Sequence, residues 1–180
     1  MLSGELHCGV VKAGGIRIRI AVLGEAVVRI AVGIGAAEFR AELARRLGAI
    51  CREDSDHPLV QAAARQLLEY LQGQRREFDL PVACRGTAFQ RRVWRALREI
   101  PYGETRSYAD LARAVGAPRA ARAVGAANAA NPIAIVVPCH RVIRADGSLG
   151  GYGGGQRLKR RLLELERAVR AARPLRPSGR

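Results

Sequence analysis

Two helix-start signatures close together in sequence constrain the fold of this chain more than any other feature. Thr87-Ala88-Phe89-Gln90 and Ser107-Tyr108-Ala109-Asp110 each set a hydroxyl residue three positions ahead of a side chain that can reach back to it, the pattern of a capping box. The first predicts a helix with Phe89, Val93, Leu97 and Ile100 on its buried face, ended by Pro101-Tyr102-Gly103. The second predicts a short helix through Leu111 and Val115. Gly116-Ala117-Pro118 then makes a tight turn, and a third helix runs from about Arg119 to Ala127 or a little beyond, finished by Asn131-Pro132. Two short helices joined by a glycine-containing turn form a helix-turn-helix pattern. The second of them carries Ala120, Ala121, Ala123, Gly125, Ala126, Ala127, Ala129 and Ala130. Side chains this small allow close approach, either to a narrow nucleic-acid groove or to the protein's own core. The residues leave both readings open.

The first half reads differently. Ile16, Ile18, Ile20 and Val22 alternate with Arg17, Arg19 and Ala21, the period of a half-buried strand. Leu23-Gly24-Glu25-Ala26 predicts a turn and Val27 to Val32 a second strand. Ala37 to Leu47 has helical spacing, with Phe39, Leu43 and Leu47 on one face and Gly48 as the stop. Asp56-His57-Pro58 opens another helix, with Leu67 and Leu71 spaced for burial, ending at Gly73. Gln74 to Gly86 has weak periodicity and is expected to link the two halves. The expected fold class is therefore α/β (α+β) with two domains. A small N-terminal α/β domain spans residues 1–80, and a mainly helical, winged-helix-like DNA-binding domain spans 86–171. Residues 172–180, rich in proline and arginine, are expected to be a disordered tail.

Charge separates the halves further. Residues 1–84 carry 11 basic and 10 acidic side chains, whereas residues 85–180 carry 20 basic and 6 acidic. Of the 31 basic residues 29 are arginine, as an arginine-biased genome would give, but such a bias would spread evenly. The asymmetry points to a polyanion-binding second half.

Chemistry concentrates in the pentad Pro138-Cys139-His140-Arg141-Val142, which follows the apolar run Ile133-Ala134-Ile135-Val136-Val137. A cysteine there is either inert packing or a nucleophile. On an extended segment neighbouring side chains point to opposite sides, so His140 would reach Cys139 only through a water or a turn; the alternative is a satisfied core histidine. A nucleophile–base–orienter relay needs an anionic third member. Glu164 and Glu166 are the candidates, on a last helix over about Gln156 to Ala171 that buries Leu158, Leu162, Leu165 and Val169. Between pentad and helix, Asp146 to Gly155 is too glycine-rich for regular structure and reads as a loop that lets backbone approach a ligand.

Taken with Arg119-Ala120-Ala121-Arg122-Ala123-Val124-Gly125, Asn131-Pro132 and Gly150-Gly151-Tyr152 followed by Gly154-Gly155, the pentad resembles the 6-O-alkylguanine-DNA alkyltransferases, the suicidal DNA-repair methyltransferases. The resemblance covers about residues 87–167 closely, and the N-terminal half only in length and layout. It implies that Cys139 is the alkyl acceptor, that His140 takes its proton through a water, and that Glu166 orients the histidine. It further implies that Arg122 fills the gap left by a flipped base, on a DNA-facing helix that includes Arg119, Ala121, Ala123 and Gly125. Tyr108 would donate to the guanine ring nitrogen and Asn131 would brace the segment leading to Cys139. Lys159 matches a family lysine near the site, and Tyr152, Gly153 and Gly154 would wall the pocket. The carbonyls of Cys139 and Val142 would accept from the guanine amine. The implied function is direct reversal of 6-O-alkylguanine, and of 4-O-alkylthymine as a further substrate, by irreversible transfer to Cys139 after base flipping. It needs no cofactor, acts as a monomer, and binds double-stranded DNA through the minor groove without reading sequence. Many members have serine after the pocket tyrosine where this chain has Gly153, a change that bears on substrate preference.

Other classes fit less well. A damage sensor of the same fold would replace the acceptor cysteine. A winged-helix regulator would not explain the pentad, and a cysteine peptidase would not explain the basic bias. His7, Cys8, Cys51 and His57 match no compact zinc spacing, so no metal is expected. No apolar run is long enough to span a membrane. Met1-Leu2-Ser3-Gly4-Glu5 lacks the basic-then-apolar start of a signal peptide. The expected location is cytoplasmic, with all four cysteines as reduced thiols.

Overall fold

The alternation of the first half folds into a meander. In the computed structural model, which describes residues 4–172, β1 (Leu6–Ala13), β2 (Ile16–Leu23) and β3 (Ala26–Val32) run antiparallel. The β1–β2 loop is Gly14-Gly15, with φ of 53° and 77°, the left-handed pair that a two-residue hairpin turn requires. A short β4 (Arg52–Glu53) joins β1 in parallel, giving the order β3-β2-β1-β4.

Helices cover both faces of this sheet. Ile18, Ile20 and Val22 pack with Val60, Ala63, Leu67 and Tyr70 of α2 (Pro58–Leu71). Ala21 and Leu23 are buried on the opposite face with Phe39 and Leu43 of α1 (Ala36–Leu47). Each valine, leucine or isoleucine among them contributes roughly 1.5–3 kcal/mol of burial. Helix α1 stops at Gly48, whose left-handed φ of 67° lets its N–H reach the Ala44 carbonyl. Helix α2 opens on Pro58, with His57 Nδ1 accepting from the Leu59 N–H at 3.2 Å.

One cysteine expectation is corrected here. Cys8 and Cys51 form a disulfide, while Cys84 and Cys139 are free. The residues are 43 positions apart, but the parallel register of β1 and β4 sets Cys8 opposite Glu53 and so brings Cys51 alongside it. That pairing depends on a two-residue strand with no periodicity of its own.

The second half is helical. In α3 (Ala88–Arg98) the capping box is complete: Gln90 Oε1 accepts the Thr87 N–H at 2.9 Å and Thr87 Oγ1 accepts the Gln90 N–H at 3.2 Å. Helix α3 buries Val93, Trp94 and Leu97, while Phe89 is half-buried. The Trp94 indole donates to the Ala127 carbonyl at 2.8 Å, fastening α3 to α5 (Ala121–Ala129). Helix α4 (Tyr108–Ala114) has its own capping box from Ser107 and Asp110. Helix α5 starts two residues later than expected, because the turn after α4 continues to Ala120, whose N–H bonds the Ala117 carbonyl. Strands β5 (Arg106–Ser107) and β6 (Val142–Ile143) pair in parallel. Helix α6 (Gln156–Ala172) buries Leu158, Lys159, Leu162, Leu163 and Glu166, with Leu165 and Val169 only half-buried. Ala172 thus belongs to a helix, and the rest of the expected tail, 173–180, lies outside the described residues.

The halves share one apolar core, running from Ile18, Leu67 and Tyr70 through Trp94, Val124 and Ile133 to Leu162. Two segments also lie along the outer side of β3. The Val27 N–H donates to the Pro81 carbonyl at 2.8 Å, and the Ala83 N–H to the Val27 carbonyl at 2.9 Å. The Ile30 N–H donates to the Pro132 carbonyl at 2.9 Å, and the Ala134 N–H to the Ile30 carbonyl at 3.1 Å. The N-terminal sheet-and-helix unit therefore holds the segment that leads into the pentad.

Candidate active site

The apolar run before the pentad curls instead of running straight. The Val137 N–H donates to the Ile133 carbonyl at 2.9 Å, and Ile135 sits at φ 73°, a left-handed conformation that a β-branched residue adopts only under constraint. Asn131 supplies that constraint. Its Nδ2 donates to the Val137 carbonyl at 2.8 Å and its Oδ1 accepts the Ile133 N–H at 3.0 Å, a bracket across the loop. Cys139 to Arg141 then form a single 3₁₀ turn, closed by the Arg141 N–H on the Pro138 carbonyl at 3.0 Å. Of the extended and turned geometries left open for these residues, the structure has the turn. Val142 and Ile143 leave it directly into β6, paired with Arg106 and Ser107. That register sets Tyr108, the first residue of α4, near the turn that carries Cys139.

Cys139 is 6% exposed. Burial pushes its thiol pKa up, opposed in part by a hydrogen bond with Asn131 and by the Lys159 charge. His140 is fully buried, and its Nε2 lies 2.9 Å from Glu166 Oε1. Burial lowers the histidine pKa, outweighing the raising effect of Glu166. His140 is therefore neutral at pH 7. Its Nδ1 is buried with no hydrogen-bond partner among the described residues. Burial would raise the Glu166 carboxyl, but hydrogen bonds and charge from His140 and Arg141 prevail and hold it at about 2. Arg141 donates through Nε and Nη2 to this carboxylate at 2.9 Å and through Nη1 to the Ile100 carbonyl at 2.7 Å. The Gly103 N–H donates to Oε2 at 2.9 Å and the Tyr70 hydroxyl to Oε1 at 2.6 Å.

The other expected site residues surround this cluster. Lys159 is buried, donates to the Val142 carbonyl and, at 3.4 Å, to that of Gly151, and has its pKa lowered by burial to about 8. Tyr152 stands edge-on to His140 with ring centroids 6.3 Å apart. Burial raises the pKa of both Tyr152 and Tyr108, so both keep their protons at neutral pH. Gly150 has φ 67° and lies so close to Tyr108 that a Cβ there would be 2.9 Å from its hydroxyl. Gly125 faces the other side of that ring, at 3.8 Å from a would-be Cβ. A Cβ at Gly154 would strike Leu158 at 2.7 Å, whereas one at Gly153 would meet nothing within 4 Å. On α5, Arg122, Ala123 and Ala126 are exposed and Val124 and Ala127 buried, so small residues lie on both the open and the core-facing side of the helix. Arg119 is exposed and Ala121 half-buried at the start of the same helix.

Of the two carboxylates proposed from sequence, Glu166 enters the cluster and Glu164 is exposed. Lys159, Leu162, Leu163 and Glu166 share one helical face, a signal available in the spacing. Sequence reading missed Arg141, Asn128 and Tyr70. Arg141 stood inside the pentad. Asn128, whose Nδ2 lies 3.4 Å from the Cys139 carbonyl, stood on the helix already singled out. Tyr70 had no signal beyond core spacing on α2.

The two histidines and two cysteines whose spacing gave no zinc pattern do not converge in space either. Cys8 and Cys51 are joined on the α1 face of the sheet, while His7, next along β1, lies against His57 at 4.5 Å and bonds Asp54 at 3.0 Å. Among the described residues no group of three or more His, Cys, Asp or Glu could hold a metal ion.

Comparison with known proteins agrees in sequence and in shape. Residues 88–168 match the family model described as 6-O-methylguanine DNA methyltransferase, DNA binding domain. The methylated-DNA–protein-cysteine methyltransferase of Mycolicibacterium paratuberculosis is 64% identical over 105 residues, 58% of this chain and 64% of that protein. The aligned sequence thus spans less than two thirds of that relative's length. In structure the agreement extends over both halves. The crystal structure of Mycobacterium tuberculosis O6-methylguanine methyltransferase superposes with a TM-score of 0.77 at 42% identity, covering 92% of this chain and 94% of that one. The crystal structure of Mycobacterium tuberculosis OGT in complex with DNA gives the same TM-score and identity over 91% and 94%.

Proposed function

This chain belongs to the methylated-DNA–protein-cysteine methyltransferase family, and from that membership we propose that it repairs 6-O-alkylguanine in DNA by moving the alkyl group irreversibly onto Cys139. The observation that carries the reading is the buried Cys139 next to a neutral His140 whose Nε2 is committed to Glu166 and whose Nδ1 is uncommitted. Because burial raises the thiol pKa and lowers that of the imidazole, the resting protein holds a thiol beside a weak base. A stable thiolate is not stored; the proton leaves as the sulfur attacks.

The step balances as an in-line displacement. Sγ forms a bond to the alkyl carbon as the carbon–oxygen bond breaks, and the electron pair leaves on the guanine. The thiol proton passes through a water to His140 Nδ1, and the Tyr108 hydroxyl donates to the guanine ring nitrogen. Lys159 favours the developing thiolate by its charge. The Val142 carbonyl, although it accepts from Lys159, has a second lone pair for the guanine amine. A base inside a duplex cannot reach a buried thiol, so it must be flipped out. Arg122, exposed on α5 among small residues, suits insertion into the vacated stack from the minor groove. The partner is duplex DNA of any sequence, bound by a monomer in the cytoplasm. Activity on 4-O-alkylthymine is part of the same proposal.

Intact-protein and peptide mass spectrometry after mixing with DNA containing one 6-O-methylguanine tests this. A single methylene gain on Cys139, absent in Cys139→Ala, is expected. Tight lesion binding with no mass change would mean a damage sensor. Open space at Gly153 also predicts tolerance of bulky groups. Gly153→Ser should lower the rate with benzylated relative to methylated guanine, and an unchanged ratio would count against it.

A further inference from the structure

We propose that Tyr70, on the N-terminal helix α2, is a positioning residue that fixes the proton of His140 on Nε2 and so leaves Nδ1 free to act as the base. The inference rests on the alkyl-transfer reading above. Its basis is three side chains with no exposed surface: the Tyr70 hydroxyl is 2.6 Å from Glu166 Oε1 and 3.2 Å from His140 Nε2, and Nε2 is itself 2.9 Å from Oε1.

The assignment of hydrogens follows from donor and acceptor capacity. Glu166 is ionised and accepts only. The short Tyr70–Glu166 contact therefore carries the tyrosine proton, since the phenol is the only one of the two that can donate. Burial and the nearby carboxylate raise the Tyr70 pKa, so the phenol does not give that proton up. With its hydrogen directed at Glu166, the Tyr70 oxygen can only accept from His140. Nε2 then faces two acceptors, a carboxylate oxygen and a phenolic oxygen, and must carry a hydrogen. Were Nε2 bare, its lone pair would face both oxygens among fully buried side chains, an unfavourable arrangement of unpaired buried acceptors. Glu166 alone would favour the same tautomer, but it is shared with Arg141 and Gly103, so a second acceptor at Nε2 removes the ambiguity.

Tyr70 also tempers the base. By donating to Glu166 it draws charge from the carboxylate that faces the imidazole. The remaining titratable and charged groups around His140 are Arg141 in the same turn, Cys139 before it, Tyr152 in the glycine-rich loop, and Lys159 and Glu166 on α6. Glu166 is the anion whose charge reaches the ring most directly, and Tyr70 is the neutral donor on it. Removing the hydroxyl strengthens the pull of Glu166 on the imidazolium, so His140 protonates at higher pH. This gives the N-terminal unit a chemical role beyond support: α2 supplies a second acceptor to Nε2 of a histidine in the other half.

The test is Tyr70→Phe in the full chain, followed by single-turnover alkyl transfer from 6-O-methylguanine DNA across pH, with ¹⁵N NMR of His140 in both proteins. The variant should lose roughly tenfold in rate at neutral pH, part of the roughly 100-fold or more that a positioned base supplies. Its acid limb should move to higher pH. The natural chain should show the Nε2–H tautomer and the variant a mixture. A purely structural role would lower melting temperature and leave the acid limb in place. Equal acid limbs, or an Nδ1–H tautomer in the natural chain, would overturn the proposal; the second result needs no folded variant. If the natural chain transfers no alkyl group, the reading beneath it fails, and the tautomer comparison still decides the positioning.

Discussion

At the scale of single residues, Glu166 shows why the site needs so many partners. Its buried charge is balanced by Arg141 and held by donors from Tyr70, His140 and Gly103. Removing one member of a buried ion pair strands the other, at a cost of about 3–5 kcal/mol. Glu166→Gln should therefore lower stability by an amount of that order in urea titrations, and a loss below 1 kcal/mol would show that Arg141 finds another partner. The same groups set the acid sensitivity. His140 has a folded pKa below 6.5, so the unfolded chain takes up its proton first and stability falls as pH drops below that value. Glu166 is held at about 2 against 4.5, so its contribution is intact above 4.5 and is lost as pH falls toward 2. Melting temperature should decline in two stages on acidification; a flat profile from pH 7 to pH 3 would contradict both assignments.

At the scale of elements, two glycines on either side of Tyr108 make opposite predictions. Gly150→Ala places a methyl 2.9 Å from the Tyr108 hydroxyl on a left-handed backbone, so it should displace the ring and slow alkyl transfer. Gly125→Ala makes an ordinary 3.8 Å contact inside α5 and should stabilise that helix by about 0.5–1 kcal/mol. Thermal melts and single-turnover rates on the pair separate the two effects. These elements also mark where sequence reading stops. Thr87–Gln90 and Ser107–Asp110 were legible because a capping box is contained in four residues. Family resemblance placed Cys139, His140 and Asn131, but not the curl at Ile135, whose backbone angle is imposed by Asn131 across the loop. Strand β1 was not read, since Gly9 and Lys12 interrupt its alternation, and without β1 the Cys8–Cys51 pairing had no register to rest on. Tyr70 was invisible for a different reason: a tyrosine at core spacing looks the same whether its hydroxyl meets a carboxylate 96 residues away or not.

At the scale of the whole molecule, the charge of +15 lies mostly beyond residue 84, and on the proposed function it would be what draws the protein to DNA. Affinity for undamaged duplex should fall steeply with salt, with a log–log slope near −0.9 per phosphate contacted. A slope near zero would mean that the arginines are not the DNA-binding surface. The two halves are also mechanically joined. The backbone of Pro132 and Ala134 is hydrogen-bonded along the outer side of β3, and the same segment leads through the Asn131 bracket to Cys139. An alkyl group on a thiol with 6% exposure has little room, so the reacted protein should melt lower than the unreacted one. Equal melting temperatures would show that the pocket absorbs the group. If the segment is pushed off β3, the N–H and C=O of Ile30 lose their partners, while Val27 stays bonded to Pro81 and Ala83, and the bared stretch of strand edge becomes a place where another extended chain can pair. On the proposed function, a molecule that has reacted would then carry a mark of it: a short open stretch of strand edge, covered while Cys139 is free and bared once it holds an alkyl group.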